Sequence, residues 1–130
     1  MKTFTVTCAI IRLNGKVLAA LRSEGKPLAG HWEFPGGKLQ NSESLFDCVV
    51  REIDEELGMN IIPLQLLPCI VHDYGEFQIE LHPVLCDVLS DTFELREHQE
   101  ACWFDPGELN QLTWAPADIP IVEKLISGEI

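Results

Sequence analysis

The chain has 130 residues, of which 46% are hydrophobic, and a formal net charge of −12. This length suits a single domain over residues 1–130 that buries a core, and no apolar run approaches the roughly 18 residues of a membrane helix. The acidic charge argues against a nucleic-acid polymer as partner, because following a phosphate backbone requires a basic surface.

The N-terminal part of the chain predicts a β-hairpin and a loop. Residues 4–12 are apolar and rich in β-branched side chains, which predicts a strand. Asn14-Gly15 is a strong hairpin signal, so residues 16–22 form the returning strand. Residues 23–31 contain two glycines and a proline and predict a loop. The alternation begins too early for a signal peptide, so we expect a cytoplasmic protein with no membrane partner.

One long helix is predicted in the middle of the chain. Residues 32–34 form a short strand that leads into a glycine turn. Ser42 caps a helix that starts near residue 43 and ends at Leu57, and Gly58 follows as the C′ residue. Apolar residues recur at helical spacing and predict a buried stripe. That stripe consists of Phe46, Val49, Val50, Ile53 and Leu57.

The C-terminal half predicts further strands and two short helices. Pro63 and Pro68 interrupt the apolar stretch that begins at Ile61, so we expect a strand with irregular ends. The other elements are strands at residues 77–89 and 100–104, and helices at residues 107–112 and 118–127. Strands mixed with one long helix and shorter ones indicate an α/β sandwich.

The cysteines predict neither disulfides nor a zinc site. They are scattered, odd in number, lie in apolar segments and show no C-x-x-C spacing. We expect reduced core residues at Cys8, Cys48, Cys69, Cys86 and Cys102.

The most informative stretch is a run of carboxylates and glycines from Gly37 to Met59. It reads G-x5-E-x7-R-E-apolar-x-E-E-x-G-apolar. At about 100° per residue, Glu52, Glu55 and Glu56 share one arc of the helix beside the buried stripe. Like charges at this spacing repel unless cations offset them, and oxygen ligands suit Mg²⁺ or Mn²⁺. The alternative is a solvated acidic helix face.

Pro35-Gly36-Gly37 precedes this helix. Glycines at Gly36 and Gly37 permit dihedral angles that are closed to other residues and let a phosphate or a metal approach the backbone. A tight turn without a ligand is the alternative.

The run from Gly37 to Met59 resembles the Nudix box, the signature of hydrolases that cleave a nucleoside diphosphate linked to another group. The resemblance implies the Nudix fold, an α/β/α sandwich with a mixed β-sheet. It also implies a Mg²⁺ site, with Mn²⁺ as the alternative ion. The carbonyl of Gly36 and the side chains of Glu52 and Glu56 would be ligands, and Glu55 would join them or bridge a second ion.

The same resemblance assigns catalytic roles. Arg51 would pair with Glu43 and orient the catalytic glutamates; an unpaired arginine is the alternative. Glu97 aligns with a loop glutamate of some members and would be a further ligand or the base, the alternative being an ordinary loop acid. The base that activates water is then Glu52 or Glu97.

Similarity to the MutT branch of this family covers nearly the whole chain. It is carried by the start of the chain, Arg22, residues 32–38 and residues 115–120. This branch converts nucleoside triphosphates to monophosphates and pyrophosphate, which protects DNA by cleaning the nucleotide pool. We expect 8-oxo-dGTP or CTP and modified dCTP as substrate. ADP-ribose, a nucleotide sugar or a non-catalytic nucleotide sensor are the alternatives. We expect a monomer, with a dimer as the alternative.

Several residues are expected to bind the substrate. Arg22 matches a phosphate-contacting arginine of the family, and a guanidinium suits that task. Asp118 replaces an asparagine that reads the base in members that cleave 8-oxo-dGTP. Because an ionised aspartate only accepts hydrogen bonds, it favours donors such as the amino group of cytosine or guanine. Its alternative role is the N-cap of the last helix, with Pro120 in the first turn.

The remaining expected substrate contacts lie in the segment around the glycines and at the start of the strand predicted at residues 77–89. Phe77 would stack on the base, although core packing is the common role of a strand aromatic. Glu33, Gly37 and Lys38 complete the expected set.

Overall fold

The computed structural model describes residues 1–130 and contains one mixed β-sheet with an α-helix on each face. The strands are β1 Lys2–Leu13, β2 Lys16–Leu21, β3 Trp32–Glu33, β4 Gly36–Lys38, β5 Ile61–Leu66, β6 Ile70–Asp73, β7 Phe77–Val88 and β8 Glu100–Phe104. The helices are α1 Leu45–Leu57 and α2 Ile119–Ser127, with short 3-10 helices at Pro106–Gln111 and Pro116–Asp118. The predicted α/β/α sandwich with a mixed sheet is confirmed.

The sheet is built around β1. Its main path runs β3-β2-β1-β7-β5, while β4 also pairs with β1, β6 with β7 and β8 with β2. Strands β1 and β7 are parallel, from Lys2 opposite Phe77 to Arg12 opposite Asp87, and the other pairs are antiparallel. A central strand with helices on both faces is buried on both sides, which explains the apolar run at residues 8–11 in the buried middle of β1.

Alternate residues of β1 belong to different halves of the core. Ala9 and Ile11 pack in the cluster that contains the apolar side chains of α1. Cys8 and Ile10 pack in the cluster that contains those of α2. Burying one such isoleucine contributes roughly 1.5–3 kcal/mol, so both helices are held to the sheet by ordinary hydrophobic packing.

The predicted hairpin is confirmed. Asn14 and Gly15 have φ values of 52° and 78°, as a two-residue type I′ turn requires. Leu13 and Lys16 flank the turn as paired residues.

The predicted start of α1 is wrong by two residues, and its end is confirmed. Ser42 has a φ of 68° and precedes the helix, while Ser44 is the N-cap, with its hydroxyl accepting from the Asp47 N–H at 3.0 Å. Gly58 ends the helix with a φ of 62°, and its N–H donates to the carbonyl of Asp54 at 3.0 Å.

The predicted buried stripe is wrong at Val50, which is 37% exposed. Val50 and Glu56 lie about 60° to either side of Ile53 on the helix. Glu56 lies on the side that is covered and is 5% exposed. A carboxylate therefore occupies a place that the hydrophobic pattern assigns to an apolar side chain.

Smaller differences from the sequence-based predictions concern two secondary-structure elements and two cysteines. The apolar stretch from Ile61 forms two strands rather than one, and the predicted helix near residue 107 is a 3-10 helix. All the cysteines are free, but Cys69 is exposed and Cys102 is partly exposed, so the core prediction is wrong for these two. Neither helix has the length and apolar character to cross a membrane.

Candidate active site

A polar cavity of about 150 Å³ lies where β3, β4, α1 and the segment before β8 meet. No hydrophobic side chain lines it. Its lining consists of Arg22, Ser23, Lys26, Glu33, Gly36, Glu52, Glu56, Glu97 and His98. The structure therefore gathers carboxylates from distant parts of the sequence into one small space.

Glu56 is the buried member of this group. Its Oε2 atom has no hydrogen-bond partner, and its Oε1 atom lies 3.7 Å from His98 Nε2. Burial, followed by the charges of Glu33 and Glu52, raises the pKa of Glu56 to about 9. An unpartnered buried carboxylate oxygen is costly, and a hard cation beside it removes both the missing contact and the repulsion. The residues present therefore fit a divalent metal ion.

Arg51 fixes the position of Glu52. Its Nη1 atom donates to Glu52 Oε1 at 2.8 Å and to Glu55 Oε2 at 3.2 Å. Its Nη2 atom donates to Glu43 Oε1 at 3.0 Å and to the carbonyl of Lys38 at 3.2 Å. The expected ion pair with Glu43 is present, and the Arg51 guanidinium lowers the pKa of Glu43 to about 2. Arg51 thus joins α1, the segment before it and β4.

Glu55 is separated from the other helical carboxylates. Its side chain is 55% exposed, and it is absent from the cavity lining that contains Glu52 and Glu56. The three glutamates share one arc of α1 as predicted, but Glu55 lies about 160° from the buried Ile53 and therefore faces solvent.

Gly36 and Gly37 form strand β4, opposite Cys8 and Thr7 of β1. Neither has a positive φ, so the prediction of a glycine turn with unusual dihedral angles is wrong. Glycine is required at both positions for another reason, because neither has space for a Cβ atom. A Cβ atom at Gly36 would lie 2.0 Å from the carbonyl oxygen of Thr7, and one at Gly37 would lie 2.3 Å from Glu52 Oε2.

A second cavity of about 600 Å³ adjoins the first. Arg22, Glu33 and Gly36 line both cavities. The larger cavity is mainly apolar, and this difference in lining suits a ligand with one charged end and one aromatic end. Its other walls include Phe4, Phe34, Lys38, Tyr74, Phe77, Leu81, Ala117 and Asp118.

Asp118 lies in the wall of the larger cavity. Its Oδ2 atom accepts a hydrogen bond from the Phe34 N–H at 2.8 Å, and the residue is 6% exposed. It makes no capping hydrogen bond to α2 and has helical dihedral angles, so its alternative role as a conventional N-cap is wrong. Burial raises the pKa of Asp118 to about 8. The raised pKa favours the neutral carboxyl group over the ionised acceptor expected from the sequence, and a neutral carboxyl group both donates and accepts.

An aromatic group forms another part of this wall. Phe77 stacks on Tyr74 with centroids 5.4 Å apart and meets Phe4 edge-on at 5.7 Å. Lys38 Nζ lies 4.2 Å from the centre of the Phe4 ring. The Tyr74 hydroxyl accepts from the N–H of Ala117 at 3.1 Å. The structure thus places Phe77 and Lys38 in the same cavity as Asp118.

The NUDIX domain family matches residues 1–125 of the chain. The chain belongs to the NUDIX family. The CTP pyrophosphohydrolase of Escherichia coli (strain K12) is 36% identical over 127 residues, which cover 98% of this chain and 94% of that protein. The putative 8-oxo-dGTP diphosphatase 2 of Mycobacterium tuberculosis (strain ATCC 25618 / H37Rv) is 32% identical over 119 residues, covering 91% and 84%.

Solved structures agree with this assignment. The solution structure of the E. coli ORF135 protein has a TM-score of 0.82 at 36% identity, covering 98% of this chain and 91% of that chain. The crystal structure of the MutT protein from Methanosarcina mazei Go1 has a TM-score of 0.87 at 26% identity, covering 98% and 96%. The resemblance to the MutT branch is confirmed, and the chain is a Nudix hydrolase.

The sequence patterns of this Nudix hydrolase did not reveal His98. Its side chain is 5% exposed, and its Nε2 atom lies 2.8 Å from Glu33 Oε2. The other oxygen of Glu33 accepts from Arg22 Nη1 at 2.9 Å. The available signal was its place beside Glu97, a residue of the predicted site that lies in the polar cavity.

Proposed function

We propose that this Nudix hydrolase is a divalent-metal-dependent nucleoside triphosphate pyrophosphohydrolase. It converts a nucleoside triphosphate and water to the monophosphate and pyrophosphate. The observation that carries the proposal is the junction of a carboxylate-lined cavity with a larger apolar one through Arg22, Glu33 and Gly36. The similarity to a CTP pyrophosphohydrolase and a putative 8-oxo-dGTP diphosphatase supports a role in cleaning the nucleotide pool.

Mg²⁺ is the proposed ion, with Mn²⁺ as the alternative. Glu52, Glu56 and the carbonyl of Gly36 would hold it, because they meet at the polar cavity and offer only oxygen donors. Glu97 is a further candidate ligand in the same lining. Glu55 lies outside that lining, so we place it only in the shell of a second ion. When bound, the ion neutralises phosphate oxygens and favours attack by water.

The protein's own groups position the reactants. Arg51 holds Glu52 towards the cavity through a 2.8 Å ion pair, which fixes the carboxylate that orients or deprotonates water. Glu97 is the alternative base. Arg22 lies between the two cavities and offers its guanidinium to a phosphate group, and Lys38 adds a second positive charge at the larger cavity.

The base of the nucleotide would lie in the larger cavity, between the Phe77 wall and Asp118. A neutral Asp118 presents an O–H donor beside an acceptor oxygen. Its Oδ2 atom already accepts one hydrogen bond, from the Phe34 N–H. Such a pair complements an adjacent acceptor and donor on a base edge. Cytosine and 8-oxoguanine offer such an edge, but so do the other bases, so the choice of CTP, modified dCTP and 8-oxo-dGTP as proposed substrates rests on the activities of the relatives.

The decisive experiment measures pyrophosphate release with Mg²⁺ over a set of substrates. The set contains 8-oxo-dGTP, dGTP, CTP, dCTP, 5-methyl-dCTP, UTP and ADP-ribose. A preferred triphosphate that yields monophosphate and pyrophosphate supports the proposal and identifies the base. Failure to release pyrophosphate from any triphosphate, by folded protein that binds Mg²⁺, would overturn it. Asp118→Asn on the same set tests base reading, because a reader changes the ranking of bases while a structural residue lowers all rates alike.

A further inference from the structure

A second group of side chains of the types that can ligate a metal lies outside both cavities. It consists of Cys69, Glu80 and His82, whose donor atoms all lie within 4.8 Å of one another. None of the three lines the cavities described above. Ile79 and Leu81 of β7 face the larger cavity or the core beside it. Because side chains alternate along a strand, Glu80 and His82 lie on the opposite face of the sheet.

Sheet register brings these residues together. Ile70 of β6 pairs with Leu81 of β7 in an antiparallel arrangement. Cys69 directly precedes β6, and an extension of this register by one residue places it opposite His82. Glu80 and His82 are two residues apart and share one face. The sheet therefore fixes the positions of Glu80 and His82, and Cys69 comes from the residue immediately before β6.

The distances suit a single small ion. His82 Nε2 lies 3.8 Å from Cys69 Sγ and 2.7 Å from Glu80 Oε1. Around a tetrahedral zinc ion, metal–ligand distances of about 2.0–2.3 Å separate neighbouring donors by roughly 3.3–3.7 Å. A short movement of the Glu80 carboxylate, which is 40% exposed, would bring all three donors to these separations.

We propose that Cys69, Glu80 and His82 bind a zinc-type divalent ion at a site separate from the active site. A thiolate, an imidazole and a carboxylate form a donor set that suits Zn²⁺ or Co²⁺, whereas Mg²⁺ favours oxygen donors. Cys69 is exposed, so an ion enters without unfolding. Three protein ligands leave one position open to water. Burial and the charge of Glu80 raise the pKa of the Cys69 thiol, so binding releases its proton.

The test uses Co²⁺ as a spectroscopic probe of the full-length protein with Mg²⁺ in excess. A thiolate ligand to Co²⁺ gives a charge-transfer absorption band that oxygen ligands do not give. We expect this band in the wild-type protein and its loss in Cys69→Ser. Cys102→Ser is the matched control, because Cys102 is the other cysteine that is not fully buried, and it should keep the band. Circular dichroism checks the fold of each variant.

Affinity measurements decide whether the ligands act together. Competition with a chromophoric chelator should show Zn²⁺ affinity at least tenfold weaker in Cys69→Ser, His82→Gln and Glu80→Gln. No charge-transfer band in the wild-type protein would overturn the proposal. A band that survives Cys69→Ser would also do so. Equal Zn²⁺ affinity of His82→Gln and the wild-type protein would show that His82 is not a ligand and would reject the proposed site. Mg²⁺-dependent hydrolysis should be unchanged in Cys69→Ser.

Discussion

Replacement of Gly37 by alanine should remove catalysis while leaving the fold nearly intact. The added Cβ would lie 2.3 Å from Glu52 Oε2 and 2.4 Å from Glu52 Cδ, far inside van der Waals contact. The obstacle is the end of a flexible side chain, so Glu52 can rotate away at small cost. It then loses the 2.8 Å contact to Arg51 and its place in the cavity. We expect kcat/KM to fall by about 10²–10³, the loss typical of one misplaced electrostatic group.

Gly36→Ala is the matched control, because the methyl group added at this position meets backbone atoms of β1 instead of a flexible side chain. Its Cβ would lie 2.0 Å from the carbonyl oxygen of Thr7 and 2.6 Å from Cys8 Cα. Relief requires β4 to move away from β1, and overpacking of this kind costs about 1–3 kcal/mol or more. For a chain of this size that lowers Tm by several degrees per kcal/mol.

The two variants are compared by thermal unfolding and by pyrophosphate release at saturating Mg²⁺. The expected pattern is a near wild-type Tm with little activity for Gly37→Ala, and a clearly lower Tm for Gly36→Ala. Full activity in Gly37→Ala would refute the placement of Glu52 at the reacting end of the cavity. A wild-type Tm in Gly36→Ala would refute the close contact between β4 and β1.

Other predictions concern the carboxylates. Glu52→Gln should lower kcat by several orders of magnitude with an unchanged circular dichroism spectrum; near wild-type turnover would reject its role. Addition of Mg²⁺ at one hundred times its Kd should raise the unfolding free energy of the wild-type protein by about 2.7 kcal/mol. This gain appears as a higher Tm. Glu56→Gln should lose most of this shift, and an equal shift in both proteins would exclude Glu56 as a ligand. The pKa of Asp118 is raised from 3.8 to about 8, so the stability it contributes is complete below pH 4 and is lost as pH rises towards 8. Wild-type Tm should therefore fall more steeply than that of Asp118→Asn between pH 5 and 8, and parallel Tm curves would contradict this.

Features that depend on local backbone chemistry were predictable from the sequence. Asn14-Gly15 and Gly58 adopt left-handed conformations, and few residue types tolerate them. The Arg51–Glu43 ion pair was also predicted, because a known motif specifies both partners. These features need little knowledge of how the chain closes on itself.

Features that depend on distant partners were not predictable. Gly36 is required by the backbone of β1, which lies far from it in sequence. Val50 and Glu56 are equivalent in distance from Ile53 around the helix, and only the position of the sheet decides which is buried. His98 meets Glu33 across 65 residues of sequence. Local periodicity carries no information on such pairings.

Glu33 lines both cavities and connects them through its two carboxylate oxygens. One of its oxygens binds Arg22 and the other binds His98, which lies against Glu56. If the proposed function holds, a phosphate group that draws Arg22 away would change the charge balance at Glu33 and, through His98, at Glu56. Nucleotide affinity and cation affinity would then be linked, and linkage is reciprocal: each ligand would alter the dissociation constant of the other by the same factor.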